Sequence, residues 1–179
     1  MKKIEKTDWC EEGLKVLAKE GFQRITIDNL CFLLNKTKGS FYHHFQNIDG
    51  YIEALMKYWS QKNTADFIKA TEAVANIEEK YIKLNDLTSL ASHKSEQVIR
   101  AWSFSNKLVK QYLEQVDDFR TEYLIKLNVQ SGMNAQKAKD YAVIEYATLI
   151  GIQQLCPTIS KEEFKRMYGV FIDKVAPHK

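Results

Sequence analysis

Proline and glycine are scarce, two and seven among 179 residues. An all-β chain needs a turn signal every dozen residues or fewer, so this shortage argues for helix. Cysteine is sparse too. Cys10, Cys31 and Cys156 form no C-x-x-C pair and are odd in number, which argues against a disulfide framework or a thiolate metal cluster and fits a reducing cytoplasm. Long apolar runs are missing: the most apolar window, residues 141–152, is interrupted by Glu145 and Thr148 and is too short to cross a bilayer. Neither sign of charge dominates, and the net charge of +3 permits a nucleic-acid partner without arguing for one. Lys2, Lys3, Glu5 and Lys6 charge the first six residues, with no apolar stretch behind them, so no secretory signal is expected and the protein is assigned to the cytoplasm, away from membranes. What the chain does have is 45% apolar and 12% aromatic content, enough to bury a core and exclude the disordered classes.

Periodicity then divides the chain. Trp9, Gly13, Val16 and Leu17 recur at helical spacing after Thr7-Asp8, an N-cap and first-turn acid, and Gly21 supplies a stop. Thr26 opens a second helix with Ile27, Leu30, Cys31 and Leu34 on one face; Asn35, which tolerates a left-handed conformation, closes it. Thr37 caps a third, in which Phe41, Tyr42 and Phe45 recur. Two short helices joined by a tight turn form a helix-turn-helix. Beyond Asn47 the segments lengthen, and helices are expected over roughly 48–70, 77–91, 94–103, 106–130, 134–155 and 160–175, the last opened by a Ser160/Glu163 capping box after Pro157. The fold class is therefore all-α: a three-helix head over residues 1–47 with its motif at 26–45, then a larger helical bundle over 48–179.

Residues 36–46 carry the chemistry. Lys36, Lys38, His43 and His44 occur there with no acid, beside the hydroxyls of Thr37, Ser40 and Tyr42. A helix entering a major groove needs small residues where its backbone comes close and donors at its rim; Gly39-Ser40 supplies the first and Lys38, Tyr42 and His43 the second. Surface lysines are also the norm on a solvated turn, and Tyr42 could equally be a half-buried core tyrosine with a wet hydroxyl. His43 and His44 are adjacent, so their side chains point about 100° apart on a helix and cannot chelate one ion. No metal or other cofactor is implied.

The stretch GFQRITIDNLCFLLNKTKGSFYHHF, residues 21–45, resembles the DNA-binding domain of TetR-family (TetR/AcrR-like) transcriptional regulators, with Thr26, Leu30, Gly39, Ser40, Phe41, Tyr42, His44 and Phe45 matching in position. Cys31 stands for the usual small residue, Asn35 for the turn glycine, Lys36 for a common buried valine and Ile48 for a frequent phosphate-contacting lysine. The resemblance implies a homodimeric, ligand-responsive repressor bound to double-stranded DNA. It places Lys38, Gly39 and His43 near base edges, adds Lys36 to the DNA-binding face, and sets Thr26, Thr37, Ser40, Tyr42 and His44 on phosphates. It implies a small-molecule effector, apolar or aromatic, in the bundle against Trp59, Trp102, Tyr112, Phe119, Tyr123 and Tyr146. It also implies a dimer formed by the last two helices through Tyr141, Glu145, Leu149, Ile152, Phe164, Tyr168 and Phe171, which would present two heads to a palindromic operator. Most of the bundle's aromatics are at the same time expected as core.

Two other classes stay open. An enzyme has little support, because H-E-x-x-H, E-x-x-H pairs, G-x-S-x-G and a phosphate-binding glycine loop are all absent; the protein is read as a non-enzyme. A helical interaction or carrier protein with a degenerate DNA-reading head is the alternative, favoured by Lys36 and Ile48.

Overall fold

The structure is a computed structural model that describes residues 4–175, with side chains as far as residue 170. Every regular element among the described residues is helical, and the chain divides into two compact units. The first runs through Gln61 and includes Lys94–Glu114; the second is Lys62–His93 and the chain from Gln115 onward. The boundary expected at residues 47 and 48 falls inside the first unit, at the N-cap of its fourth helix.

In the first unit, α1 (Lys6–Glu20) starts two residues earlier than expected. Glu5 is its N-cap, in a capping box with Asp8, whose carboxylate accepts from the Glu5 N–H at 2.7 Å. Gly21, at φ 86°, ends it as the sequence indicates. A single 3-10 turn at Phe22–Arg24 leads to α2 (Ile27–Leu33), and α3 (Lys38–His44) and α4 (Ile48–Ser60) follow. Their core is aromatic. Trp9 meets Phe41 edge-on at 5.5 Å between ring centroids, Phe41 meets Phe45 at 5.2 Å, and Phe45 meets Tyr51 at 5.1 Å. The Tyr51 hydroxyl donates to the Trp9 carbonyl at 2.9 Å, tying α4 to α1. α7 (His93–Ser103) belongs here almost entirely: Trp59 Nε1 donates to Glu96 at 2.8 Å, and Trp102 stacks on Phe22. Cys10 and Cys31 are buried, and desolvation pushes the Cys10 thiol up to about 12, as suits an inert packing residue.

The second unit contains α5 (Asp66–Glu72), α6 (Ile77–Leu90), most of α8 (Lys107–Gln130), α9 (Ala135–Leu155) and α10 (Lys161–Val175). Leu124, Ala142 and Tyr146 form one core cluster and Ile152, Phe164 and Tyr168 another, with Leu149 packed against both. The Ser160/Glu163 capping box is present, with the Glu163 N–H donating to Ser160 Oγ at 3.2 Å. One helix departs from its expected course. In place of a single helix over 48–70, the ladder passes through a π-helical turn at Gln61–Ala65 between α4 and α5. The physical reason is a one-residue slip of the buried face, which steps Tyr51, Leu55, Trp59 and then Thr64.

Candidate nucleic-acid interface

Two threonine caps and one asparagine set the helix-turn-helix. Thr26 Oγ1 accepts from the Asn29 N–H and Thr37 Oγ1 from the Ser40 N–H, both at 3.2 Å, fixing the starts of α2 and α3. Between them Asn35 adopts φ 50°, and the Lys36 N–H closes the turn on the Cys31 carbonyl at 2.8 Å. Phe41 and Phe45 are buried against Trp9, so the inner face of α3 is committed to the core. The opposite face is therefore presented outward. Lys38 and Tyr42 share one row on it and Gly39 and His43 the next, each pair four residues apart. All four are exposed, Tyr42 by 53%. A Cβ built on Gly39 would meet nothing closer than Thr37 Oγ1 at 3.6 Å, so the helix backbone itself is accessible there.

Among the other expected DNA contacts, Thr26 and Thr37 are exposed, while Lys36 and Ser40 are half-buried. His44 is half-buried as well, its ring 6.4 Å from Trp9 and 5.1 Å from His43. Two features of the charge pattern escape sequence reasoning. Lys38 Nζ lies 2.6 Å from Asp28 Oδ1, and this hydrogen bond raises the ammonium pKa. Arg24 is held by Glu20 at 3.1 Å and by Asn29 Oδ1 at 3.2 Å. Asp28 stands ten residues before Lys38 and reads as an ordinary first-turn acid; only the turn at Asn35 brings it opposite the start of α3.

The six aromatics expected to line an effector site are not gathered in one unit. Trp59, Trp102 and Tyr112 belong to the first, Phe119, Tyr123 and Tyr146 to the second. Trp59 is fully buried and bonded to Glu96, Tyr123 donates to Glu72 at 2.9 Å, Tyr146 donates to Asp117 at 2.6 Å, and Phe119 is 46% exposed. Of the expected dimer residues, Glu145, Ile152, Phe164 and Tyr168 are buried within their own unit. The Tyr168 hydroxyl donates to Glu145 at 2.7 Å, and Phe164 lies between the rings of His93 and Tyr168. Tyr141 and Leu149 are half-buried, and the Phe171 side chain lies outside the described residues. The same two helices present other residues outward: Val143, Ile144, Ala147 and Leu155 on α9, and Met167 and Val170 on α10.

No protein-family model matches the sequence, and no curated protein matches it either. Solved structures do match the fold. A TetR transcriptional regulator from Legionella pneumophila superposes with a TM-score of 0.83 at 15% identity, over 97% of each chain. The fatty acid degradation regulator FadR from Bacillus halodurans does so at 0.73 and 14%, over 100% of each chain. AibR, solved with isovaleryl coenzyme A and operator DNA, matches at 0.70 and 13%, over 92% of this chain and 96% of its own. The chain thus has the all-helical TetR-like fold, with its helix-turn-helix at the N-terminal end. Among the described residues no helix is long and apolar enough to cross a membrane.

Proposed function

We propose that the protein is a DNA-binding transcriptional regulator that acts as a homodimer, represses from a palindromic operator and is released by a small effector. The observation that carries this reading is the outward face of α3, where Lys38, Gly39, Tyr42 and His43 form two adjacent exposed rows, Lys38 paired with Asp28 of α2, while Phe41 and Phe45 anchor the helix from behind. Lys38 and His43 offer donors to base edges, the tyrosine and threonine hydroxyls donate to phosphate oxygens, and the bare Gly39 backbone lets the helix approach the groove floor. The fold is shared with regulators, one of which was solved on its operator and another of which regulates fatty acid degradation. A second copy would bring two such faces to major grooves about 34 Å apart, which calls for an inverted repeat. The exposed apolar residues of α9 and α10 favour that second copy as their cover. Differential affinity of an effector for the two dimer states is sufficient for release.

The test is selection of binding sites from random duplex DNA, followed by anisotropy titration at moderate salt. A regulator enriches an inverted repeat bound at least about a thousandfold more tightly than random duplex. The double variant K38A/Y42A loses that binding while keeping its oligomeric state. Absence of any sequence preference refutes the reading and leaves the interaction-protein alternative.

A further inference from the structure

The start of α2 holds an arginine by both ends. Asn29, in the first turn of that helix, donates through Nδ2 to the Arg24 carbonyl at 3.1 Å and accepts through Oδ1 from Arg24 Nη2 at 3.2 Å. Asn29 is itself set in place by Thr26, whose hydroxyl accepts its N–H at 3.2 Å. Glu20, the last residue of α1, takes the Arg24 Nε–H at 3.1 Å. Nη1 is left without a partner among the described residues, and the Arg24 side chain is 59% exposed. An ion pair this exposed does little for the stability of a fold. What the arrangement fixes is the direction of a planar fork of donors, the side chain best shaped to meet two oxygens of one phosphate. The same helical turn carries Asp28, which holds Lys38. Arg24 thus stands at one end of a polar string, running through Asn29, Thr26 and Asp28, whose other end is Lys38 on the outward face of α3.

We propose that Arg24 is a phosphate clamp of the duplex interface and that Asn29 is its positioning residue. This role rests on the proposed function, because the duplex is the ligand. With Nε and one Nη2 hydrogen committed inside the protein, Nη1 and the second Nη2 hydrogen remain for two oxygens of a phosphate, and Glu20 and Asn29 stay bonded while the contact is made. A phosphate contact carries no sequence information, so Arg24 adds affinity for any duplex and leaves the choice of operator to α3.

Anisotropy titrations of the full chain against the selected inverted repeat and against random duplex, each across a salt series, test the clamp. R24A should weaken both by the same factor, about tenfold at moderate salt, and lower the slope of log affinity against log salt by about one for each head bound. R24Q removes the charge and keeps an amide donor; it should do the same, and it decides the matter if R24A does not fold. N29A alters no charge. It should cost about threefold in the parent and nothing further in R24A, because the two side chains act as one unit. Affinity of R24A within about twofold of the parent, an unchanged salt slope, a loss confined to the selected duplex, or an N29A loss of equal size in both backgrounds overturns the proposal. In each of these outcomes the parent still selects its repeat, so the proposed function stands. A parent that selects no repeat refutes the proposed function, and the clamp falls with it.

Discussion

Gly13 shows how a single position can reverse a rule of helix propensity. It lies mid-helix in α1, where replacing glycine by alanine ordinarily gains about 1 kcal/mol. Here an added Cβ would collide with the Tyr51 hydroxyl, the same hydroxyl that binds the Trp9 carbonyl. Overpacking of this kind costs about 1–3 kcal/mol, so G13A should lower the thermal midpoint, and a rise would show that α1 and α4 are less closely packed. Asp28 offers a second test at this scale. Its carboxylate occupies Lys38, so on the proposed function an acceptor of the duplex must displace it to reach the ammonium. D28N should therefore strengthen binding to the selected duplex several-fold and steepen its salt dependence by about one counterion, whereas K38A should flatten it by a similar amount; anisotropy titrations across a salt series distinguish the two.

At the scale of elements, a buried carboxyl joins α9 to α10. Burial raises the Glu145 pKa, and the bond donated by Tyr168 only partly offsets this. The sign follows from linkage. A carboxyl whose folded pKa lies above its unfolded value of about 4.3 binds its proton more tightly when folded, so it costs stability increasingly as pH rises from the unfolded value through the folded one. E145Q keeps an acceptor for Tyr168 and removes that cost. Urea denaturation should show it more stable than the parent by about 1 kcal/mol at pH 7.5, with the difference vanishing near pH 4; a variant less stable at pH 7.5 would mean the charge is used in the fold. The helices themselves were legible because their ends are chemically marked. Thr26, Thr37, Asn47, Asn76, Asn134 and the Ser160/Glu163 pair all cap as local chemistry dictates. The π-turn was not legible, since a one-residue slip among Gln61–Ala65 has no marker residue and depends on Arg120, 56 positions from Thr64. The exposed face of α3 was legible from the spacing of Phe41 and Phe45, but its ion pair with Asp28 was not. Nor could aromatic content separate packed rings from exposed ones, because aromatics occur in both units and only half of the described ones are buried.

At the scale of the whole molecule, the proposed second copy needs a side of α9 to pack on. The apolar residues of this helix fall on more than one face, so periodicity does not tell its own core from the face a second copy would cover. Burial separates them. Ala138, Ala142, Glu145, Tyr146, Ile152 and Gln153 face inward, while Val143 and Ile144, each 51% exposed, and Leu155 at 84% lie on other faces. Gly151 and, on α10, Gly169 stand in helices where a Cβ would meet no atom within 4 Å, so nothing in the chain itself calls for glycine there. A second copy, as proposed, would call for it by pressing a helix close across α9. The two possibilities predict opposite signs for one substitution. If the face is bare, G151A adds helix propensity and raises stability by about 1 kcal/mol at every protein concentration. If a second copy packs there, the added methyl separates the helices, and G151A together with A147R shifts the species seen by sedimentation from dimer to monomer and makes the melting temperature independent of concentration. Operator affinity then falls in step with the lost dimer while the α3 face of each monomer is unchanged, because a single head keeps only its half-site.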